Sequence, residues 1–79
     1  MSSIHDSRYR KLIHDLTTIR ELKKVTQVQL AVSLKKPQSY IAKVENFDRR
    51  IDVIELQDWL NALDVCIVKF LKENLLDKS

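Results

Sequence analysis

Glycine is absent from this sequence of 79 residues, and proline, cysteine and tryptophan occur once each. Without glycine, the chain cannot form the glycine-rich loops that cradle phosphates in nucleotide-binding enzymes. A single cysteine, Cys66, excludes an internal disulfide and any zinc site built from several thiolates of one chain. We expect Cys66 to be a small buried residue or to lie near a helix cap.

Long apolar runs and clusters of reactive side chains are also missing. No segment approaches the roughly 18 apolar residues of a transmembrane helix, and the polar residues 1–11 do not resemble a secretory signal. We therefore expect a cytoplasmic protein without a membrane partner. His5 and His14 are isolated from any nucleophile or metal-ligand cluster. We expect no enzymatic activity, no cofactor and no metal.

The length and the charge distribution favour a small binding module of one domain, residues 1–79. Residues 1–50 hold eleven Lys and Arg against five Asp and Glu, a net charge of +6. Residues 51–79 hold three against six, a net charge of −3. We expect an anionic partner for the first part of the chain, the alternative being helix faces that are simply solvated.

Apolar residues recur at helical spacing throughout, and no segment alternates with the period of a β-strand. The sequence predicts an all-α fold with five helices, at residues 8–23, 27–34, 37–46, 53–63 and 66–75. The single proline, Pro37, is placed at the start of the third helix, where a missing N–H costs little.

Three of the predicted helix starts have capping signals. Asp6 or Ser7 can cap the first helix. Thr26 with Gln29, and Asp52 with Glu55, have the spacing of a capping box, in which each side chain satisfies a free backbone N–H.

The second and third helices are short and joined by about three residues, the layout of a helix-turn-helix. The stretch RELKKVTQVQLAVSLKKPQSYIAKVENFDRRIDVIELQDWLNAL resembles the DNA-binding domain of phage-repressor and Cro-type (XRE family) bacterial regulators. The matching positions are Arg20, Thr26, Gln27, Leu30, Ala31, Gln38, Ser39, Ile41, Glu45, Ala62 and Leu63. The resemblance covers about residues 9–65. It implies a compact repressor-like domain whose third helix enters the DNA major groove.

The resemblance also implies two groups of DNA-contacting residues. Those that read bases would be Gln38, Ser39, Tyr40 and Lys43. Those that contact phosphates would be Gln27, Lys36, Asn46, Arg49 and Arg50. Three alternatives stay open. Gln38 and Ser39 could be ordinary first-turn polar residues, Tyr40 could pack its ring on the surface, and Arg50 could pair with Asp52 or Glu55.

Two structural features follow from the same resemblance. Arg20 and Glu45 match an interior ion pair of the family, which orients the third helix. The family usually has glycine at four turns where this sequence has Lys24, Lys35, Phe47 and Asp64. These turns are either strained or shaped differently. Phe47 could fold onto the core or face a partner.

The implied function is sequence-specific regulation of transcription, most simply repression, by a homodimer on a near-palindromic operator in double-stranded DNA. The expected dimer interface lies on the last helix at Ile67, Phe70, Leu71 and Leu75, unless these residues close the core of the monomer. Two other functions are open. One is an antitoxin that autoregulates its operon and binds a toxin protein, and the other is a helical protein-interaction module without DNA binding.

Overall fold

The computed structural model of the protein describes residues 4–76. Five α-helices follow one another, and a π-helical turn continues the last one; no strand occurs in this part of the chain. The helices are α1 (Ser7–Leu22), α2 (Gln27–Leu34), α3 (Gln38–Glu45), α4 (Val53–Ala62) and α5 (Ile67–Leu71), and the π-helical turn is Lys72–Leu76. The predicted all-α fold is confirmed. The last helix differs most from its prediction, because its α-helical part ends at Leu71.

The predicted capping residues begin three of the helices. Asp6 accepts a hydrogen bond of 2.8 Å from the Arg8 backbone N–H at the start of α1. Thr26 and Asp52 form complete capping boxes at the starts of α2 and α4. Pro37 lies just outside α3 as its N-cap, with φ −70° and ψ 153°. The helix thus begins one residue later than predicted, and the proline ring occupies a position where no helical N–H is needed.

All five helices contribute to the core, or flank it, around the single tryptophan, Trp59. The buried apolar residues are Leu12, Ile13, Leu16, Leu30, Ala31, Tyr40, Ile41, Val44, Ile51, Leu56, Trp59, Leu60, Leu63 and Phe70. Because Ile41 and Val44 are fully buried, α3 has one face fixed against the core and the opposite face in solvent.

The four turns without glycine all have left-handed backbone conformations. The φ angles are 60° at Lys24, 57° at Lys35, 64° at Phe47 and 61° at Asp64. At each turn, two backbone N–H groups return to carbonyls of the preceding helix, the pattern of a Schellman motif. The four turns therefore adopt the conformation that glycine favours, at a steric cost of roughly 1 kcal/mol for each side chain.

Candidate nucleic-acid interface

The exposed face of α3 presents a short row of polar side chains. Gln38, Ser39 and Lys43 are exposed, whereas Ile41 and Val44 on the other side of the helix are buried. The tight connection after α2 sets α3 against α2, and residues 35–37 end one helix and begin the next. Three of the four residues predicted to read bases therefore share a solvent-facing surface.

A chain of hydrogen bonds connects this row to the interior. Arg20 Nε and Nη2 donate to the two carboxylate oxygens of Glu45 at 2.7 Å and 3.0 Å. Gln27 Nε2 donates to Glu45 Oε1 at 2.9 Å, and Gln38 Nε2 donates to Gln27 Oε1 at 3.3 Å. Arg20 Nη1 also donates to the Val25 carbonyl at 2.7 Å. The structure thus brings together the two members of the expected ion pair and links them to Gln38.

The Arg20–Glu45 pair is enclosed, with side chains only 10% and 6% exposed. Both carboxylate oxygens accept from the guanidinium, a bidentate geometry that fixes direction as well as distance. The pair joins α1 to the last residue of α3, so it sets the orientation of α3. Its net contribution to stability is small, because the desolvation of two charges offsets their attraction.

Gln27, which was expected to contact a phosphate, has its amide between Glu45 and Gln38. One N–H of the Gln27 amide is used by Glu45, and the amide oxygen accepts from Gln38. An amide has two N–H donors, so Gln27 keeps a second donor for an additional partner.

The expectation that Tyr40 faces a groove is wrong for this structure. Tyr40 is only 9% exposed. Its hydroxyl donates to Glu55 Oε2 at 3.0 Å and accepts from Trp59 Nε1 at 3.1 Å, and burial raises the pKa of this phenol. Its ring meets that of Trp59 edge to face, with the centroids 6.0 Å apart. The sequence did contain a signal, because Tyr40 lies four residues before the buried Val44, on the same side of the helix.

Arg49, the first of the two arginines after α3, forms an ion pair with Glu55. Arg49 Nη1 donates to Glu55 Oε2 at 2.9 Å, and its guanidinium lies 4.8 Å from the centre of the Tyr40 ring. Arg50 lies over the Tyr9 ring at 4.5 Å. Both arginines are exposed, so each keeps a solvent-facing side.

Glu55 collects several hydrogen bonds at the start of α4. Burial acts to raise the pKa of its carboxyl. The hydrogen bonds from the Asp52 backbone, Tyr40 and Arg49 outweigh burial and hold the pKa below its usual value. The hydrogen bond with Glu55 in turn raises the pKa of Arg49. Glu55 is therefore ionised at neutral pH and anchors the segment that follows α3.

The remaining two residues expected to contact phosphates, Lys36 and Asn46, are exposed at opposite ends of α3. The Lys36 ammonium lies 5.4 Å from the centre of the Tyr40 ring. Asn46 ends α3 as its C-cap. Their contact with DNA stays a prediction.

Two residues of α1, Tyr9 and Arg10, lie against the segment after α3, a contact between distant parts of the chain that no local sequence pattern predicts. Arg10 lies over the Phe47 ring at 4.5 Å, while Arg50 lies over the Tyr9 ring at the same distance. The Tyr9 hydroxyl accepts a hydrogen bond of 3.2 Å from the Ile51 N–H. We call these five residues the turn clamp. Phe47 folds towards the core, one of the two outcomes considered for it.

The residues expected at a dimer interface are mostly used within the monomer. Phe70 is only 2% exposed, which is a correction to its expected place on an open interface. Ile67 and Leu71 are half-buried against the core, and Leu75 is 44% exposed. Phe70, Ile67 and Leu71 therefore help to close the core of the monomer, which was the alternative left open, whereas Leu75 stays exposed.

Other apolar side chains near α5 are open to solvent. Val68 and Leu22 are 68% and 76% exposed. Leu22 lines a shallow groove together with Val65 and Cys66. Cys66 is exposed, so the expectation of a buried thiol is wrong, although its position as the N-cap of α5 matches the other expectation. Hydrogen bonds from the Lys69 and Val68 backbone N–H groups lower the pKa of this thiol.

Within residues 4–76, no set of three or more His, Cys, Asp or Glu side chains is arranged to hold a metal ion. None of the helices in this range has the length and apolar character needed to cross a membrane.

Comparison with known proteins places the chain in a family. The protein-family model described as Helix-turn-helix matches residues 16–69. An XRE-family like protein from Pseudomonas syringae pv. tomato str. DC3000 has the same fold, with a TM-score of 0.89 and 34% identity over 96% of this chain and 93% of that chain.

Two solved structures of the restriction-modification controller protein C.Esp1396I also match. One is its tetramer with its natural 35-base-pair operator, at a TM-score of 0.81 and 23% identity over 92% of this chain and 96% of that one. The other is a single-residue mutant, at a TM-score of 0.80 and 22% identity over 91% of each chain. No curated protein matches the chain. The family match and the identity to the Pseudomonas protein show that the chain belongs to the XRE (Cro/C1-type) helix-turn-helix family of DNA-binding transcription regulators.

Proposed function

We propose that this protein is a sequence-specific repressor that binds a near-palindromic operator as a homodimer. The observation that carries the proposal is the exposed row of Gln38, Ser39 and Lys43 on α3, with the Gln38 amide held by Gln27. A helix-turn-helix presents this part of its second helix to the base edges of the major groove. Repression needs only occupation of the operator, which is the activity that this surface supports.

The side chains of the row match the chemistry of base edges. A glutamine amide can donate to N7 and accept from N6 of adenine, and a lysine can donate to O6 and N7 of guanine. Ser39 can pair with any base and so contributes less discrimination. Because Gln27 restricts the Gln38 side chain before binding, less conformational entropy is lost when Gln38 meets its base.

Groups that attract phosphates lie on both sides of the row. Gln27 begins α2, where backbone N–H groups and the positive end of the helix dipole favour an anion. Asn46, Arg49 and Arg50 are exposed beyond the other end of α3. We infer that these residues contact the DNA backbone and hold the row in register without reading the sequence.

The dimer is proposed from the exposed apolar side chains near α5. Val68 and Leu22 are open to solvent. Leu75, in the π-helical turn that continues α5, is also partly exposed. A second copy of the chain would cover Val68 and Leu75. The controller protein C.Esp1396I, which has the same fold, occupies its operator as a tetramer. Assembly of several copies on DNA is thus compatible with this fold.

Selection from a pool of random DNA duplexes tests the proposal. We expect enrichment of two inverted half-sites whose centres are separated by one helical turn, about 10 base pairs or 34 Å, or by a multiple of it. Enrichment of a single half-site would contradict the dimer. The absence of binding to any duplex at low salt would overturn the proposed function, since backbone contacts alone should give measurable non-specific binding.

A further inference from the structure

We propose that Arg10, at the N-terminal end of α1, binds a DNA backbone phosphate beside the C-terminal end of α3. This inference rests on the proposed function and adds a contact from outside the helix-turn-helix. The geometry that carries it is the stacking of the Arg10 guanidinium on the ring of Phe47, 4.5 Å from its centre.

Phe47 is fixed relative to α3. It directly follows the C-cap Asn46 and has a φ of 64°. Its N–H donates to the Val44 carbonyl at 3.1 Å, and the Asp48 N–H donates to the Lys43 carbonyl at 2.8 Å. A side chain that stacks on Phe47 is therefore positioned with respect to α3, although Arg10 belongs to a different helix.

The turn clamp holds α1 in place from both directions. Arg10 of α1 stacks on Phe47 of the turn, and Arg50 of the turn stacks on Tyr9 of α1. The Ile51 N–H, one residue after Arg50, also donates a hydrogen bond to the Tyr9 hydroxyl. Such reciprocal contacts place Arg10 and Arg50 on the same basic surface.

The charge of Arg10 is available to an anion. Its side chain hydrogen-bonds to the Ile4 carbonyl and the His5 ring, and among residues 4–76 no carboxylate forms an ion pair with it. The neighbouring cations differ, since Arg8 pairs with Asp6 at 2.8 Å and Lys11 pairs with Asp15 at 2.8 Å. Nε and Nη2 of Arg10 are engaged by Ile4 and His5, so the two N–H donors of Nη1 remain for a phosphate while the guanidinium lies over the ring.

The length of α3 brings the groove edge within reach of Arg10. The helix has eight residues, which corresponds to about 12 Å at 1.5 Å per residue. In a helix-turn-helix, the N-terminal residues of the second helix contact the base edges. The C-terminal end of α3 is then about 12 Å further from the bases, and groups just beyond its last residue are close to the phosphates at the groove edge. Arg10 lies just beyond the end of α3, because its guanidinium rests on the ring of Phe47.

The salt dependence of binding to a random-sequence duplex tests the proposal. Each phosphate contact contributes about 0.9 to the slope of log affinity against log salt. We expect Arg10→Gln to lower the slope by about this amount, so that between 50 and 200 mM salt it loses about 3.5-fold less affinity than the wild type. Arg10→Lys should keep the wild-type slope, because it keeps the charge.

Arg8→Gln is the matched control. It removes the same charge from the same helix, two positions away and about 200° around the helix axis. Its slope should stay close to that of the wild type. Equal slopes for Arg10→Gln and Arg8→Gln would overturn the role of Arg10 while leaving the proposed function intact. If the wild type fails to bind the duplex at low salt, both proposals are wrong.

Thermal unfolding, followed by the fluorescence of Trp59, separates DNA contact from a structural role. Trp59 is the single tryptophan and is buried, so its emission reports the folded core. Phe47→Leu removes the ring and keeps Arg10. We expect it to weaken DNA binding at every salt concentration and to leave the salt slope unchanged. If Arg10→Gln lowers the melting temperature but keeps the wild-type salt slope, Arg10 only stabilises the fold and the proposal is wrong.

Discussion

At the scale of single residues, Gln38, the first residue of α3, is held by hydrogen bonds within the protein. Gln38 is bonded to Gln27, which is bonded to Glu45, which is paired with the interior Arg20. Chains of hydrogen bonds that include a charged pair are stronger than neutral ones and restrict rotation. The position of one exposed amide thus depends on an ion pair in the interior.

The first prediction concerns the division between reading and positioning. Gln38→Ala should lower affinity for the selected operator by about 1–3 kcal/mol and leave affinity for random duplex nearly unchanged, because a base contact is lost and no phosphate contact is. Fluorescence anisotropy on both duplexes measures the two affinities. Arg49→Ala is the comparison and should weaken both alike. Identical behaviour of the two variants would contradict the assignment.

Sequence alone could identify Gln38, Ser39 and Lys43 as outward-facing, because helical periodicity fixes the side on which each one lies. It did not identify the inward Tyr40, although the spacing to Val44 was visible. Tyrosine can place its ring on either surface. The inward orientation of Tyr40 is fixed by Trp59 and Glu55, which are distant in sequence and form the two hydrogen bonds of its hydroxyl.

At the scale of helices and turns, four Schellman motifs are built without glycine. Lys24, Lys35, Phe47 and Asp64 each adopt a left-handed conformation that glycine adopts without a steric cost. The turns are therefore formed against a local preference, and the packing and hydrogen bonds of the adjoining helices must hold them.

The second prediction is that relief of one such turn stabilises the protein. Lys35→Gly should raise the free energy of unfolding by up to about 1 kcal/mol, since the steric penalty at φ 57° disappears. Glycine also makes the unfolded chain more flexible, which reduces the gain. Urea unfolding followed by Trp59 fluorescence measures the difference. The neighbouring Lys36→Gly, which has no left-handed φ to relieve, should destabilise the fold slightly.

The third prediction concerns acid stability at the start of α4. Glu55 has a lowered pKa in the folded protein, so its contribution to stability is present above the ordinary glutamate pKa of about 4.3 and is lost as the pH falls below it. Glu55→Gln should therefore make stability less dependent on pH between about pH 5 and pH 3. Urea unfolding at several pH values measures this. If Glu55→Gln lost as much unfolding free energy as the wild type when the pH is lowered, the role of Glu55 would be contradicted.

Local signals made the helices predictable, because capping residues, a proline and apolar spacing all act within a few residues. The pairing of arginines was not predictable in this way. Arg49 and Arg50 are adjacent, equally long and equally charged. The partner of each is decided by tertiary distances to Glu55 and Tyr9.

At the scale of the whole molecule, the small core uses most of the large apolar side chains, and few remain for an interface with a second copy. Phe70 of α5 is needed inside the monomer, and the basic surface around α3 lies in the first two thirds of the chain. A dimer must therefore use side chains that the core does not need. Val68 satisfies that requirement, since it points away from the stripe that Phe70 and Leu71 form.

The fourth prediction is that Val68→Glu breaks the dimer and not the fold. A charge at an exposed position costs the monomer little, but it would have to be desolvated at an interface. Sedimentation should show a monomer, and affinity for the two-half-site operator should fall towards that for a single half-site. Ile54→Glu, at another exposed apolar residue, is the control. Dissociation by Ile54→Glu alone would place the interface on α4 instead.

Gln38 and the other two exposed residues of the α3 row differ in how they are attached to the protein, and this difference bears on the design of new operator preferences. Gln38 is tied to the scaffold through Gln27, so its replacement disturbs more than one contact. Ser39 and Lys43 are exposed, and within residues 4–76 their side chains form no hydrogen bond. We expect the members of a library randomised only at these two positions, with proline left out, to fold. Such a library offers a direct route to reprogrammed variants that recognise altered half-sites while the amide at position 38 stays constant.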